Sequence, residues 1–205
     1  MQITIPCNVY ARMAEVPAML DATDPRQYLK CLYFERKNNQ LFIVVTNAQC
    51  GAMEYLGRND GPDECTAIPF DQSIMRICEQ ETQFGSLMIE ANELLRYTKL
   101  STTLGGPFTF NGYHPLPDNH QFKTWREWFP AEQPTQSFGT MYWNAAVMWS
   151  LCSASKSGGL KFPQFIDVRK PVLINDADSS DWIGVFMPTQ KGTDVMPPVV
   201  VPDWV

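Results

Sequence analysis

Ser153 and Lys156 stand in Ser-Ala-Ser-Lys, a spacing that can set a lysine base beside a serine nucleophile, and Lys-Ser-Gly follows at once. Acyl-transfer enzymes built on that pattern open a helix with the serine and carry Lys-Ser-Gly on a distant strand. Here the two overlap at what reads as one helix end, so that chemistry is not expected. Asp176, Asp178 and Asp181, interleaved with Ser179 and Ser180, could face a cation but have the composition of turn formers. His114 and His120 lie in a proline-rich stretch with no Cys or carboxylate cluster at metal-ligand spacing. Residues 103–112, TLGGPFTFNG, are glycine-rich, but a strand follows them and not the helix N-terminus that cradles phosphate. No nucleophile-base pair assembles. The expectation is a protein that is not an enzyme and carries no cofactor or metal.

The chain has 205 residues, 44% hydrophobic and 12% aromatic, enough for a sizeable core. Its net charge of −6 argues against broad adhesion to nucleic acid, though it allows a local basic face. The six cysteines form no C-x-x-C pair and the N-terminus has no basic-then-apolar leader pattern, which reads as free thiols in a reducing cytoplasm. No apolar run approaches the roughly 20 residues of a membrane helix.

Three junctions position whatever the chain does: ITIPCN at the start, TAIPFD at 66–71 and FGTMYWN at 138–144. In each, an extended segment runs into a helix former, with Asn8, Asp71 and Asn144 where an N-cap would sit. Helical spacing then puts Val9, Met13, Val16 and Leu20 on one face, with Pro17 shortening or kinking the helix. It does the same for Ile74, Ile77 and Cys78, and for Ala145, Met148, Trp149 and Cys152. Strands follow each helix. KCLYFERKN and QLFIVVTNAQ flank a hairpin turn at KNNQ. SLMIEAN, LLRYTKLSTT and PFTFNG belong to the second unit, and KFPQFIDVRK, PVLIND and DWIGVFMP to the third. The last run, Trp182 to Met187, is a buried strand stopped by Pro188. Between the second and third units a proline-rich connector carries Trp125, Trp128 and Phe129, too apolar to be free, and should pack on a sheet. The pattern is an α+β fold of repeated strand-helix-three-strand units, with helices on one face of antiparallel sheets. The expected divisions are two units over 1–113, a connector over 114–135, a third unit over 136–190 and a tail over 191–205.

RQYLKCLYFERKNNQLFIVVTNAQCGA resembles the middle-domain hairpin of the bacterial DNA polymerase sliding clamps, the beta-clamp or DnaN family, where an L-x-x-x-x-T-D-G run follows an acidic strand end. NGYHPLPDNHQFKTWREWFP resembles the family's connector into its last domain, and PVLINDADSSDWIGVFMP its closing strands, which end in a Met-Pro. The order of the three motifs matches. The resemblance implies a shortened DNA-clamp-like fold, suited in length to a phage or mobile element. It also implies a role as a processivity factor that encircles double-stranded DNA without sequence preference and tethers a polymerase or clamp-loader peptide.

Carried over position by position, the family's peptide pocket would take Leu29, Thr46 and Ala48 on one wall, Pro115 and Trp128 on the connector, and Val185 and Met187 on the closing strand. All seven would also serve as ordinary core. The family's Asp-Gly-His-Arg turn is Asn47 to Cys50 here, which alters the polar part of the pocket. On the polar helix faces Arg12, Arg76 and Lys156 would face DNA, and equally fit solvated surface charges. Clamp rings of the family contain twelve such units. Three units per chain would then require a homo-oligomeric ring of four. The alternative is a clamp-fold adaptor or decoy that binds replication proteins without encircling DNA.

Overall fold

The computed structural model describes residues 1–20, 23–80, 85–92, 97–103, 109–115, 125–129, 144–164 and 170–188, with backbone alone for 92, 97–103, 109–115 and 128. The chain opens with β1 (Gln2–Pro6), whose Ile3 and Ile5 alternate inward, and passes directly into α1 (Cys7–Ala18). Strands β2 (Cys31–Lys37), β3 (Gln40–Thr46) and β4 (Cys50–Arg58) complete the first unit. Asn38 and Asn39 take φ of 52° and 60°, the consecutive left-handed pair that a tight hairpin between β2 and β3 demands. The second unit repeats the order with β5 (Glu64–Pro69), α2 (Gln72–Gln80), β6 (Ser86–Asn92), β7 (Tyr97–Thr103) and β8 (Thr109–Pro115). The third contributes α3 (Ala145–Ala154), β9 (Leu160–Lys161), β10 (Val172–Asp176) and β11 (Trp182–Phe186). The expected strand at 138–143 and tail at 191–205 lie outside the described residues. KFPQFIDVRK supplies only Lys161 to β9 among them.

Two kinds of junction join these units. Within the first pair the opening strands are exchanged: β1 runs antiparallel to β6, and β5 antiparallel to β2, so each unit completes the other's sheet. The third unit joins differently, by its last strand, with β11 antiparallel to β4 and Gly184 opposite Ala52. The result is a four-stranded sheet ordered β1-β6-β7-β8 and a seven-stranded sheet ordered β5-β2-β3-β4-β11-β10-β9. Helix α1 packs against both α2 and α3. One core runs beneath the helices, with Tyr10, Met13, Phe34, Ile43, Ile89, Ile174 and Trp182 all nearly inaccessible.

The alternate residues of the seven-stranded sheet, Cys31, Tyr33, Val44 and Ala67, point the other way and are covered by Trp125 from the connector. Its indole Nε1 donates to Glu35 at 2.9 Å, while the Arg126 guanidinium lies 4.2 Å over the indole and pairs with the same carboxylate at 2.6 Å. The connector does pack on a sheet, although β8 extends to Pro115, two residues past the expected division at 113.

The caps divide. Asp71 accepts from the backbone N–H of Ser73 and Ile74, and Asn144 from that of Ala146, as the sequence predicts. Asn8 does not cap. Pro6 holds the cap position with no side-chain bond, Asn8 lies inside α1, and the Cys7 N–H donates to the Gly85 carbonyl at 2.9 Å. A backbone bond from the second unit replaces the side-chain cap. The expected face of α3 is also corrected: Val147, Ser150, Leu151 and Ala154 are buried, whereas Trp149 is 73% exposed. The helix is apolar on every side, so periodicity alone cannot select the buried face.

Candidate functional site

At the seam of β4 and β11 the pairing runs Gly184–Ala52, Val185–Gly51 and Phe186–Cys50, and is continued by the Met187 N–H donating to the Gln49 carbonyl at 3.1 Å. The loop facing that end is built by one side chain. Asn47 is buried; its Oδ1 accepts from the N–H of Gln49 and Cys50 at 3.0 and 2.9 Å, and its Nδ2 donates to the Val16 carbonyl. Ala48 can then take φ of 70°, and the Thr46 hydroxyl donates across the turn to the Cys50 carbonyl at 2.9 Å. A short 3-10 turn, Gln27–Lys30, brings Tyr28 and Leu29 alongside.

These segments enclose a cavity of about 390 Å³. Leu29 and Val185 form its buried floor, Thr46 and Ala48 one wall, and half-exposed Met187 the rim. Tyr28, Gln49, Cys50, Gly51, Pro171 and Phe186 complete the lining. The surface is apolar, open to water and rimmed by a flexible thioether, which suits a short apolar peptide whose anchors re-pack the methionine. Its thiol is a poor nucleophile: burial pushes Cys50 up to about 12, only partly offset by the bond to Asn47, so it stays protonated at neutral pH.

Five of the seven residues expected in a peptide pocket, Leu29, Thr46, Ala48, Val185 and Met187, line this cavity. The backbone of Pro115 closes β8 in the other sheet, opposite Tyr97. Its side chain and that of Trp128 lie outside the described residues. Gln49 and Cys50 entered the sequence reading only as part of the Asn47–Cys50 turn; it missed Tyr28, Gly51 and Phe186, which adjoin residues it named, and Pro171, which the pairing of β10 with β11 delivers.

The three expected DNA-facing cations are not equivalent. Arg12 pairs with Glu54 at 3.0 Å and donates to the Ala154 carbonyl at 2.7 Å. Lys156 pairs with the same carboxylate at 3.4 Å and with Asp181 at 3.3 Å. Glu54 is 1% exposed, so both cations are engaged in neutralising a buried charge that ties α1, β4 and the third unit together. Arg76 is exposed on α2. On the same helices, burial and then the neighbouring Glu79 raise the Glu15 carboxyl, a sign of acidic crowding. The Asp cluster is turn chemistry: Asp176 accepts from the N–H of Ser157 and Asp178. Arg12→Ala is expected to cost roughly 2–3 kcal/mol in urea denaturation, since it leaves Glu54 buried with Lys156 alone, whereas Arg76→Ala stays within about 0.5 kcal/mol. Equal costs would refute this division.

No family model and no curated protein matches the sequence. Solved structures do. A DnaN sliding clamp (DNA polymerase III subunit beta) from Pseudomonas aeruginosa bound to griselimycin superposes with a TM-score of 0.66 at 15% identity, over 93% of this chain and 66% of that one. A putative DNA polymerase III beta subunit from Eubacterium rectale gives 0.65 at 12% identity over 93% and 66%. The DNA polymerase III subunit beta from Borrelia burgdorferi in complex with a natural product gives 0.63 at 10% over 94% and 65%. The chain spans about two thirds of the length of these proteins.

Proposed function

We propose that this chain, which has the sliding-clamp fold, serves DNA replication as a non-enzymatic processivity factor that holds a short apolar peptide of a polymerase or clamp loader in the groove at the β4–β11 seam. The groove carries the reading. Residues from four distant stretches, around 28, 46–51, 171 and 185–187, meet there and leave an apolar cavity that the core has not filled. Tethering works through local concentration and needs no chemistry from the clamp itself.

The same reading includes enclosure of duplex DNA, with four chains of three units closing a ring of twelve. Among the described helix-face cations only Arg76 is both exposed and outside the Glu54 network, so the electrostatic grip should be weak and retention topological. That sparse positive charge also favours a second reading, an adaptor that binds the peptide and leaves DNA free. The test is a pair of measurements with one preparation. Anisotropy of a labelled apolar clamp-binding peptide should report micromolar or tighter binding, and protein loaded on nicked circular DNA should survive 0.5 M salt and leave after linearisation. Peptide binding with equal salt loss from circles and linear DNA assigns the adaptor; no peptide binding overturns both.

A further inference from the structure

Among the described residues two large hydrophobic side chains are exposed, Met187 on the groove and Trp149 on α3. The second belongs to no site described above. From Asn144 to Ser155 the sequence of α3 and its caps contains no charged residue, whereas α2 turns Gln72, Arg76, Glu79 and Gln80 to water. A helix apolar on all sides is normally covered on all sides. The intramolecular core takes Val147, Leu151 and Ala154, yet Ala145, Trp149 and Cys152 form a second helical stripe, with Ala145 and Trp149 exposed. This helix has two faces built for burial, and the described chain covers one.

The pairing of the first two units is a precedent for what would cover the second face. The first and second units interlock by strand exchange with α1 beside α2. The third is attached through the other junction, last strand to last strand, and β9 ends its sheet among the described residues. Among the described residues α3 packs on α1 by one face, and its unit exchanges no opening strand with another as the first two do. The third unit of another copy offers an equivalent helix. A two-fold contact sets the same patch against itself, so any charge on it would meet its like, and α3 has none. Trp149 lies at the middle of α3, so an antiparallel pair sets each Trp149 against its symmetry mate.

We infer that two copies of this chain associate through α3 against α3, making one complete two-unit domain from two third units. The inference deepens the ring reading, on which its place in an assembly rests, by naming one of the contacts that four chains would need. Self-association alone decides it; peptide and DNA binding serve only to tell its failure from failure of the clamp reading.

Sedimentation equilibrium of the full chain, of Trp149→Glu, of Trp149→Lys and of an equimolar mixture of the two variants decides it. The wild type should associate. Each variant should raise the dissociation constant at least about tenfold, as loss of a central aromatic anchor does. The mixture should recover association, because opposite charges then face each other across the two-fold. Unchanged far-ultraviolet dichroism of the variants, with melting equal to the wild type's at concentrations where all are monomeric, separates association from folding. A monomeric wild type, variants that associate normally, or a mixture that stays dissociated each overturns the inference. Normal variants that still bind peptide and circular DNA would overturn it while leaving the clamp reading intact.

Discussion

Met187→Glu is expected to weaken binding of an apolar clamp-binding peptide about 100-fold or more while leaving the urea midpoint unchanged. Met187 lies just beyond β11 and is 50% exposed, so a carboxylate there is solvated in the free protein. Its backbone N–H is held by the Gln49 carbonyl, so the exchange alters the side chain and not the wall. A peptide filling the cavity would strip water from that carboxylate, and the lining, from Tyr28 to Phe186, holds no Lys or Arg to compensate. Met187→Leu keeps volume and apolarity and should cost less than about fivefold. Anisotropy titration separates the outcomes. Affinity of the Glu variant within threefold of wild type would place the peptide elsewhere.

What the sequence made legible follows from how local each determinant is. The β2–β3 hairpin was readable because Asn38 and Asn39 tolerate the left-handed backbone that the turn requires. Asp71 and Asn144 were readable as caps because capping spans three residues. Asn8 misled because the first N–H of α1 is satisfied by Gly85, far away in sequence. The exchange of β1 and β5 between sheets is non-local in the same sense: alternation assigns Ile3 and Ile5 to a core but names no partner strand.

The site divides likewise. The floor and rim of the groove, Leu29, Val185 and Met187, came from a motif resemblance; Pro171 came only from strand pairing. For Arg12 and Lys156 a signal was present and went unread: Glu54 sits alone as a charge inside the strand Cys50–Arg58, and a buried carboxylate there must recruit cations. On α3 periodicity had nothing to work with, since every side is apolar. Of the four residues it selected, the described core leaves Ala145 and Trp149 open, while Met148 packs against it. That error and the proposed α3 contact share one physical cause.

Trp182→Ala should remove roughly 2 kcal/mol of stability, whereas Trp182→Phe should stay within about 1 kcal/mol of wild type. Trp182 is fully buried at the start of β11, paired across the seam with Glu54. Its ring extends over Gly184, where a Cβ would come 2.7 Å from Cη2 of Trp182 and 2.9 Å from Cγ1 of Ile174, so a glycine is needed for the indole to lie flat there. Truncation to alanine opens a void between β10, β11 and the helices, a loss of about 3–5 kcal/mol for a buried aromatic. One term runs the other way. The indole Nε1 is buried with no hydrogen-bond partner among the described residues, and removing such a donor recovers about 1–3 kcal/mol of desolvation. Phenylalanine removes the donor while keeping most of the volume, so its two terms nearly cancel. Because the void lies under the strand that carries Val185 and Met187, the alanine variant should also lose peptide affinity at temperatures where it is still folded, and the phenylalanine variant should not. Urea denaturation of the pair, with peptide titration at 10 °C, checks both statements; a phenylalanine variant as unstable as the alanine one would mean that the indole N–H is bonded and that the seam depends on it.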